Sequence, residues 1–474
     1  MARYLTTTLP YVNADPHIGF ALEIIQADAL ARMWRLNGED VFFTTGTDEH
    51  GQKIYEAAEK KGQGVKEYVD HYANEVYKLR DVLGLTTDAF IRTTDEKHIR
   101  AAQEMWKRCE AKGDIYKKSY TGLYCVGCEA YKTEREIEER RCALHPSLEL
   151  RELTEENYFF RLSAYQEKLL SYLAQSGSIV PEWRREEAIN FVSGGLEDFS
   201  ISRQKEKLTW GVPVPGDDSQ VMYVWFDALT SYISTLGWPE SGNFEKYWVE
   251  GTTVQMAGKD QVRFQSLMWQ AMLMSADIKN TDHVFYHGFI NSGGQRMSKS
   301  LGNVISPYEL VEKYGTDATR YLFLRHVHPV EDSDVTWERL DEWYTANLVN
   351  GLGNLVARVM KLAEEHLTPV ALSKEDVTIE PAFTKMIEGF AFNEAMDLIF
   401  EHVGKGDEYM TEREPYKKIK TDEKDIALAD IEKLVRHLAK IAAHLTPIMP
   451  DTAEKILNAV RENKKPENLF PRLT

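Results

Sequence analysis

The sequence predicts an α/β protein: a doubly wound parallel sheet, interrupted by an insertion and followed by an α-helical bundle. Three observations predict it. A β-rich run at Tyr4–Thr8 leads through a tight turn into apolar positions at helical spacing over Ala21–Leu36, and a second β-like run, Asp40–Thr45, follows; strand, helix, strand is how such a sheet begins. A cysteine-rich stretch between residues 125 and 145 then breaks the alternation. From about Tyr344 the β signals stop and helical periodicity takes over, clearest in Ile431, Leu434, Leu438, Ile441 and Leu445, until Pro447 and Pro450 are expected to end it.

Composition narrows the class. A chain of 474 residues with 43% hydrophobic and 28% charged side chains has an ordinary globular balance and is long enough for several domains. No apolar run approaches the roughly 18–20 residues of a membrane span, and the N-terminus has no basic region leading into an apolar one, so the expectation is a soluble, cytoplasmic protein with no membrane contact. A formal charge of −18 repels polyanions at long range, so any RNA contact must be local and selective. Of four cysteines, Cys125, Cys128 and Cys142 cluster while Cys109 stands apart, a pattern that suits a metal knuckle in a reducing compartment better than a disulfide scaffold.

The elements can be justified in order. At the turn Pro10–Phe20, the free N–H groups of a first helical turn favour a phosphate; Gly19 would admit close approach, and His17 would add a donor. The second strand runs into Gly46-Thr47-Asp48-Glu49-His50-Gly51, which places Asp48 in the crevice at the carboxyl end of the sheet, with an N-cap for a helix over Gln52–Lys61 as its other reading. Amphipathic helices are expected at about Val65–Leu83 and Glu96–Lys112. Cys125-x2-Cys128, thirteen residues and Cys142-x2-His145 form two chelating pairs that can close tetrahedrally on one ion. Three thiolates and an imidazole favour zinc, and with no open position its role is structural. Ser200–Arg203 and Trp210–Pro215 return the chain, with Arg203 a candidate partner for Asp48. Val221–Tyr232 reads as a strand passing into a helix, where Trp225 and Tyr232 would by default be core. Val254–Gln265, with Gly258-Lys259-Asp260, is another such crossing. Near residue 300, Gly293-Gly294 precede Arg296-Met297-Ser298-Lys299-Ser300, a loop with a cation and two hydroxyls.

Pro16-His17-Ile18-Gly19 followed by Arg296-Met297-Ser298-Lys299-Ser300 resembles, in that order, the two signature motifs of the class I aminoacyl-tRNA synthetases, written HIGH and KMSKS. The resemblance extends from Tyr4 to about Pro450, and the intervening segments are similar to the methionyl-tRNA synthetases. It implies a Rossmann-like catalytic domain in two halves, 1–114 and 222–290, around a connective insertion with a zinc knuckle at 115–221. A stem-contact region with the second motif at 291–343 and an anticodon-binding α-helical domain at 344–474 would follow. The implied activity is ATP-dependent activation of L-methionine to its adenylate and transfer to tRNA(Met), with Mg²⁺ accompanying ATP. His17 and Lys299 would be catalytic. His17, Gly19, Phe20, Gly258, Lys259, Asp260, Met297, Ser298 and Lys299 would meet ATP, and Leu9, Tyr11, Asp48, Trp225, Ala228, Tyr232 and His287 the methionine. Asn354, Arg358 and Tyr416 would read the anticodon. One structural zinc per chain, on Cys125, Cys128, Cys142 and His145, is implied as well. The chain ends at Thr474 without the appended dimerising module of longer relatives, so a monomer is expected. Two departures stand out: Phe20 replaces the second histidine of HIGH, and Tyr416 the usual tryptophan. The rivals are a synthetase for another amino acid, disfavoured because the interval holds no editing domain, and a catalytically silent tRNA-binding paralogue.

Overall fold

The computed structural model describes residues 1–128, 130–132, 137–138, 141–143, 145–240, 242–297 and 303–473. Two compact units are formed, one from 1–16, 39–80 and 87–287, the other from 17–38, 81–86 and 288–474. Ser298 and Lys299 lie outside the described residues.

The first unit is built on a six-stranded, wholly parallel sheet. Its spatial order is Ala89–Arg92, Asp40–Thr47, Ala2–Thr6, Thr252–Gly258, His283–His287 and Ile179–Val180. The chain steps outward from Ala2–Thr6 in one direction and, after the insertion, resumes on the other side of that strand. The strand order therefore reverses between Ala2–Thr6 and Thr252–Gly258, where sheets of this kind open a ligand crevice at their carboxyl ends. The doubly wound α/β expectation is met, and Asp40–Thr47 is buried along most of its length as a central parallel strand should be. Gly46 is needed there, because a Cβ would meet the Ile91 carbonyl oxygen of the neighbouring strand at 1.9 Å. The insertion begins with a long antiparallel pair, Ile115–Cys125 against Arg151–Phe160, in register from Ile115↔Phe160 to Tyr124↔Arg151. The cysteines follow at its far end.

The second unit is helical apart from one small sheet. Asn354–His366, Phe392–Arg413, Lys424–Leu445 and Pro450–Glu462 form its bundle, and the five apolar positions read from the sequence are all buried. Pro450 does not end a helix but begins one, occupying a first-turn position where its missing N–H costs nothing.

The helix Ile18–Leu36 follows the first strand of the sheet yet belongs to this second unit. Its buried Asp28 explains why: the carboxylate accepts from Arg32 Nε at 2.6 Å and from Thr86 N at 2.6 Å, and pairs with Arg320 Nη1 at 2.8 Å. Nothing in the linear sequence marks Asp28 as other than an ordinary polar helix residue. No described helix is long and apolar enough to cross a membrane.

His326 ties this unit's stability to pH. Its ring lies flat on Trp343, centroids 4.4 Å apart and planes 2° from parallel, and its Nε2 faces the Tyr321 hydroxyl at 3.2 Å. Burial first, then the neighbouring Arg325 charge, hold its pKa down at about 3. An unfolded histidine takes up its proton near pH 6.5, so the stability is complete above that value and is lost as pH falls toward 3, amounting to about 2 kcal/mol by pH 5. His326→Gln should flatten the fall of the unfolding midpoint between pH 7 and pH 5. Parallel profiles for variant and parent would remove His326 from the acid response.

Candidate active site

The crevice residues of the first unit are placed by the ends of its strands. Tyr11 bridges to Asp48 through the backbone: Asp48 N donates to Pro10 O at 3.1 Å and Val12 N to Asp48 O at 3.2 Å. This fixes the buried Asp48 beside the turn that carries Leu9 and Tyr11. Trp225 and Ala228 lie on the helix Val224–Leu229, and Tyr232 on the short turn after it. Trp225 stacks on Phe264 at 3.9 Å and 11°, while Tyr232 accepts from Gln265 Nε2 at 3.0 Å. Tyr232 is part of the unit's large apolar cluster, against which Tyr11, Trp225 and Phe264 pack. His287 ends the strand next to Thr252–Gly258, directly opposite Gly258 in register. A Cβ on Gly258 would come 2.8 Å from Asp260 Oδ1 and 3.7 Å from the His287 ring, which gathers these three residues at the same sheet end. Lys259 and Asp260 open a short turn of helix there.

What the sequence did not reveal is the apparatus that clamps Asp48. Its neighbour Glu49, fully buried, accepts from Arg92 through both oxygens, at 2.6 and 2.8 Å, and from Thr47 and Thr94 at 2.6 Å each. Trp210 Nε1 donates to the Glu49 carbonyl at 2.6 Å. His50, next along, donates from Nδ1 to Asp227 Oδ2 at 2.6 Å, and His98 donates from Nε2 to the other oxygen at 2.7 Å. Asp227 is wholly enclosed. Burial alone would raise its pKa, but the two imidazoles outweigh that and bring it down to about 2. The triad thus joins the strand end that carries Asp48 to the helix that carries Trp225 and Ala228. One signal was available: Asp227 is a lone charge inside the apolar run Val221–Leu229, and a buried charge must be partnered.

Arg203 is buried rather than at the surface. Its guanidinium donates to Ser200 Oγ at 3.0 Å and Ser202 O at 2.7 Å and lies over the rings of Tyr124, Tyr131 and Tyr223. At the tip of the insertion, Cys128 Sγ is 3.5 Å from Cys142 Sγ and 3.2 Å from His145 Nδ1, with Cys125 Sγ at 3.8 Å and Cys142 Sγ at 4.0 Å from the same nitrogen. The three cysteines are not disulfide-bonded, and the four ligand atoms mutually lie within 4.8 Å.

In the second unit the expectation for the first motif needs correction. His17 caps its own helix: its Nδ1 accepts from Gly19 N at 3.0 Å, so the ring is an acceptor there and only Nε2 is left to donate. Ile18 N donates to Ile305 O at 3.3 Å and Phe20 N to His17 O at 3.2 Å. The first-turn N–H groups that were expected to be free for a phosphate already have partners in the chain. The space at Gly19 is likewise filled, since a Cβ would lie 2.8 Å from the His17 ring. Phe20 is buried. Met297 is half-buried at the edge of the undescribed segment. Asn354 and Arg358 lie one turn apart on the helix Asn354–His366, but Arg358 is already engaged by Asp407, at 3.3 Å. The Tyr416 ring is exposed, with Lys417 over it.

A parallel sheet with this switch point and an inserted cysteine knuckle is the architecture of a class I tRNA synthetase, and a family model described as "tRNA synthetases class I (M)" matches residues 3–149 and 136–360. The methionine–tRNA ligase of Brucella suis biovar 1 (strain 1330) is 40% identical over 96% of this chain and 91% of its own length; that of Thermotoga maritima is 37% identical over 98% and 76%. Among solved structures, Mycobacterium tuberculosis methionyl-tRNA synthetase in complex with methionyl-adenylate superimposes with a TM-score of 0.89 at 35% identity, covering 100% of this chain and 99% of that one. The chain belongs to the methionine–tRNA ligase family.

Asp227→Asn keeps the shape of the triad but removes the charge that both imidazoles face. It should destabilise the first unit by about 3–5 kcal/mol, the usual cost of breaking a buried pair, seen as a lower melting temperature. An unchanged melting temperature would show that the triad holds nothing in place.

Proposed function

We propose that this protein activates L-methionine with ATP and transfers it to tRNA(Met). The observation that carries the reading is the family membership over nearly the whole chain. In the first step the methionine carboxylate attacks the α-phosphorus of ATP; a P–O bond forms and pyrophosphate leaves with the electrons of the bond it loses. In the second, a hydroxyl of the terminal adenosine attacks the adenylate carbonyl and AMP departs. Neither step requires covalent participation by the protein, so catalysis consists of positioning and charge neutralisation.

Asp48 is our assignment for the α-ammonium group, as one carboxylate against one ammonium selects an amino acid over its side-chain analogue. Trp225, Ala228, Tyr232, His287, Leu9 and Tyr11 would surround the thioether, where sulfur–aromatic contacts add roughly 0.3–1.5 kcal/mol. Gly258, Lys259 and Asp260, with His17 through Nε2 and the Met297–Lys299 segment, would meet the nucleotide, and Mg²⁺ would accompany its phosphates. Arg203 acts in this reading as an orienting residue, its charge spread over three tyrosine rings. Asn354, Arg358 and Tyr416 would contact the anticodon, so the helical bundle would be the RNA-reading domain.

Zinc fits the cysteine knuckle. For ligand bonds of about 2.3 Å to sulfur and 2.0 Å to nitrogen, tetrahedral geometry separates donors by roughly 3.5–3.8 Å, close to the spacing of Cys125, Cys128, Cys142 and His145. Such an ion would crosslink the insertion tip and take no part in the chemistry. Cys142→Ser should lose the metal and lower the melting temperature; if metal-free parent protein melts where the loaded one does, the structural role is wrong.

Methionine-dependent exchange between ATP and pyrophosphate, without tRNA, tests the activity itself. Lys299→Ala should slow it by roughly 10²–10³-fold with methionine affinity nearly unchanged, because the charge is needed mainly as the phosphate rearranges. A near-normal rate in the variant would take Lys299 out of the mechanism, whereas no exchange in the parent would leave a silent tRNA-binding paralogue.

A further inference from the structure

A second cluster of metal-ligating side chains lies inside the helical bundle. Glu380 stands immediately before the helix Pro381–Glu388, His402 lies on Phe392–Arg413, and His444 is in the last turn of Lys424–Leu445. The ligand atoms of these three residues all lie within 4.8 Å of one another, and His402 Nε2 is 3.5 Å from Glu380 Oε2. The His402 side chain is 9% exposed, and among the described residues its Nε2 meets only the Glu380 carboxylate, at a distance too long for a good hydrogen bond. A buried imidazole nitrogen left in that state costs free energy unless something binds it.

Hydrogen bonds hold the members of the cluster in place. His444 Nδ1 is 2.8 Å from the Lys440 carbonyl oxygen, which can only accept. The proton therefore sits on Nδ1, and the Nε2 lone pair, which accepts the Glu380 N–H at 3.1 Å, is directed at the cluster. His437 donates from Nε2 to the His402 carbonyl at 2.7 Å and so braces the helix turn that presents His402. Lys440 pairs with the other carboxylate oxygen of Glu380, orienting the group while leaving Oε2 toward the histidines.

We propose that Glu380, His402 and His444 bind a divalent first-row transition ion of the zinc class, separate from the cysteine knuckle. Two imidazoles and one carboxylate suit zinc or cobalt and disfavour magnesium and calcium, which require oxygen ligands throughout. The Glu380–His402 spacing already matches neighbouring donors in a tetrahedral site. His444 has to draw in by roughly 1 Å and exchange the Glu380 N–H for the ion. Glu380 is half-buried, so an ion and a fourth ligand from solvent can enter on its side. Bound, the ion would join three separate segments of the bundle at one point.

Cobalt distinguishes the two sites, because thiolate ligands give it a near-ultraviolet charge-transfer absorption that nitrogen and oxygen ligands lack. Metal-free, full-length protein titrated with Co²⁺ should take up one ion without that signature, in addition to any bound by the cysteines. His402→Ala and Glu380→Gln should each weaken this uptake at least about tenfold, leaving the thiolate-ligated ion and methionine-dependent exchange unaffected. Glu380→Gln changes a half-buried side chain without altering its size, so a loss seen there does not depend on the fold surviving a cavity. No cobalt uptake lacking the thiolate signature, or such uptake unchanged in both variants, overturns the proposal.

Discussion

Asp28 and Arg320 are both fully enclosed, 2.8 Å apart, and each is tolerable there only because of the other. Burial pushes the Asp28 pKa up and Arg320 and Arg32 pull it below the usual carboxylate range, so the pair stays ionised. Arg320 spends its remaining donors on the carbonyls of Ile448, Leu83 and Pro447. One guanidinium thereby collects the helix after the first motif, the short segment 81–86 and the turn before the last bundle helix. Desolvating two charges is costly, and only this full set of partners offsets it. The composition of the second unit from three stretches of chain follows from that requirement.

The first unit solves a related problem at Asp48. The strand end at Asp48 is held through the residues that follow it: Glu49 through Arg92, and His50 through Asp227. Glu49 and His50 are both buried, so rigidity reaches Asp48 through the backbone.

Much of this was legible from residue order. The alternation of strand, helix and strand near the N-terminus, the helical spacing of Ile431 to Leu445 and the chelating pairs at Cys125–His145 each follow from local geometry, and the sheet, bundle and ligand cluster formed where those patterns placed them. Pairings between distant segments were not legible. Asp227 with His50 and His98, Asp28 with Arg320, and Phe264 under Trp225 depend on which surfaces meet after folding. The first motif was misread for a subtler reason: the free N–H groups of a helix start are available to a ligand only if the chain does not satisfy them first, and here His17 and Ile305 do.

Arg358 carries its own substitute for a phosphate. Asp407, whose carboxyl burial pushes above its ordinary range despite the arginine beside it, occupies the guanidinium. If the proposed RNA contact is made there, it would be an exchange of one anion for another rather than a net capture of charge, and a generic polyanion would gain little from it. Only a backbone or base edge that matches the fork better than the resident carboxylate would displace it, so on a chain of net charge −18 the discrimination would be made by competition within the protein itself.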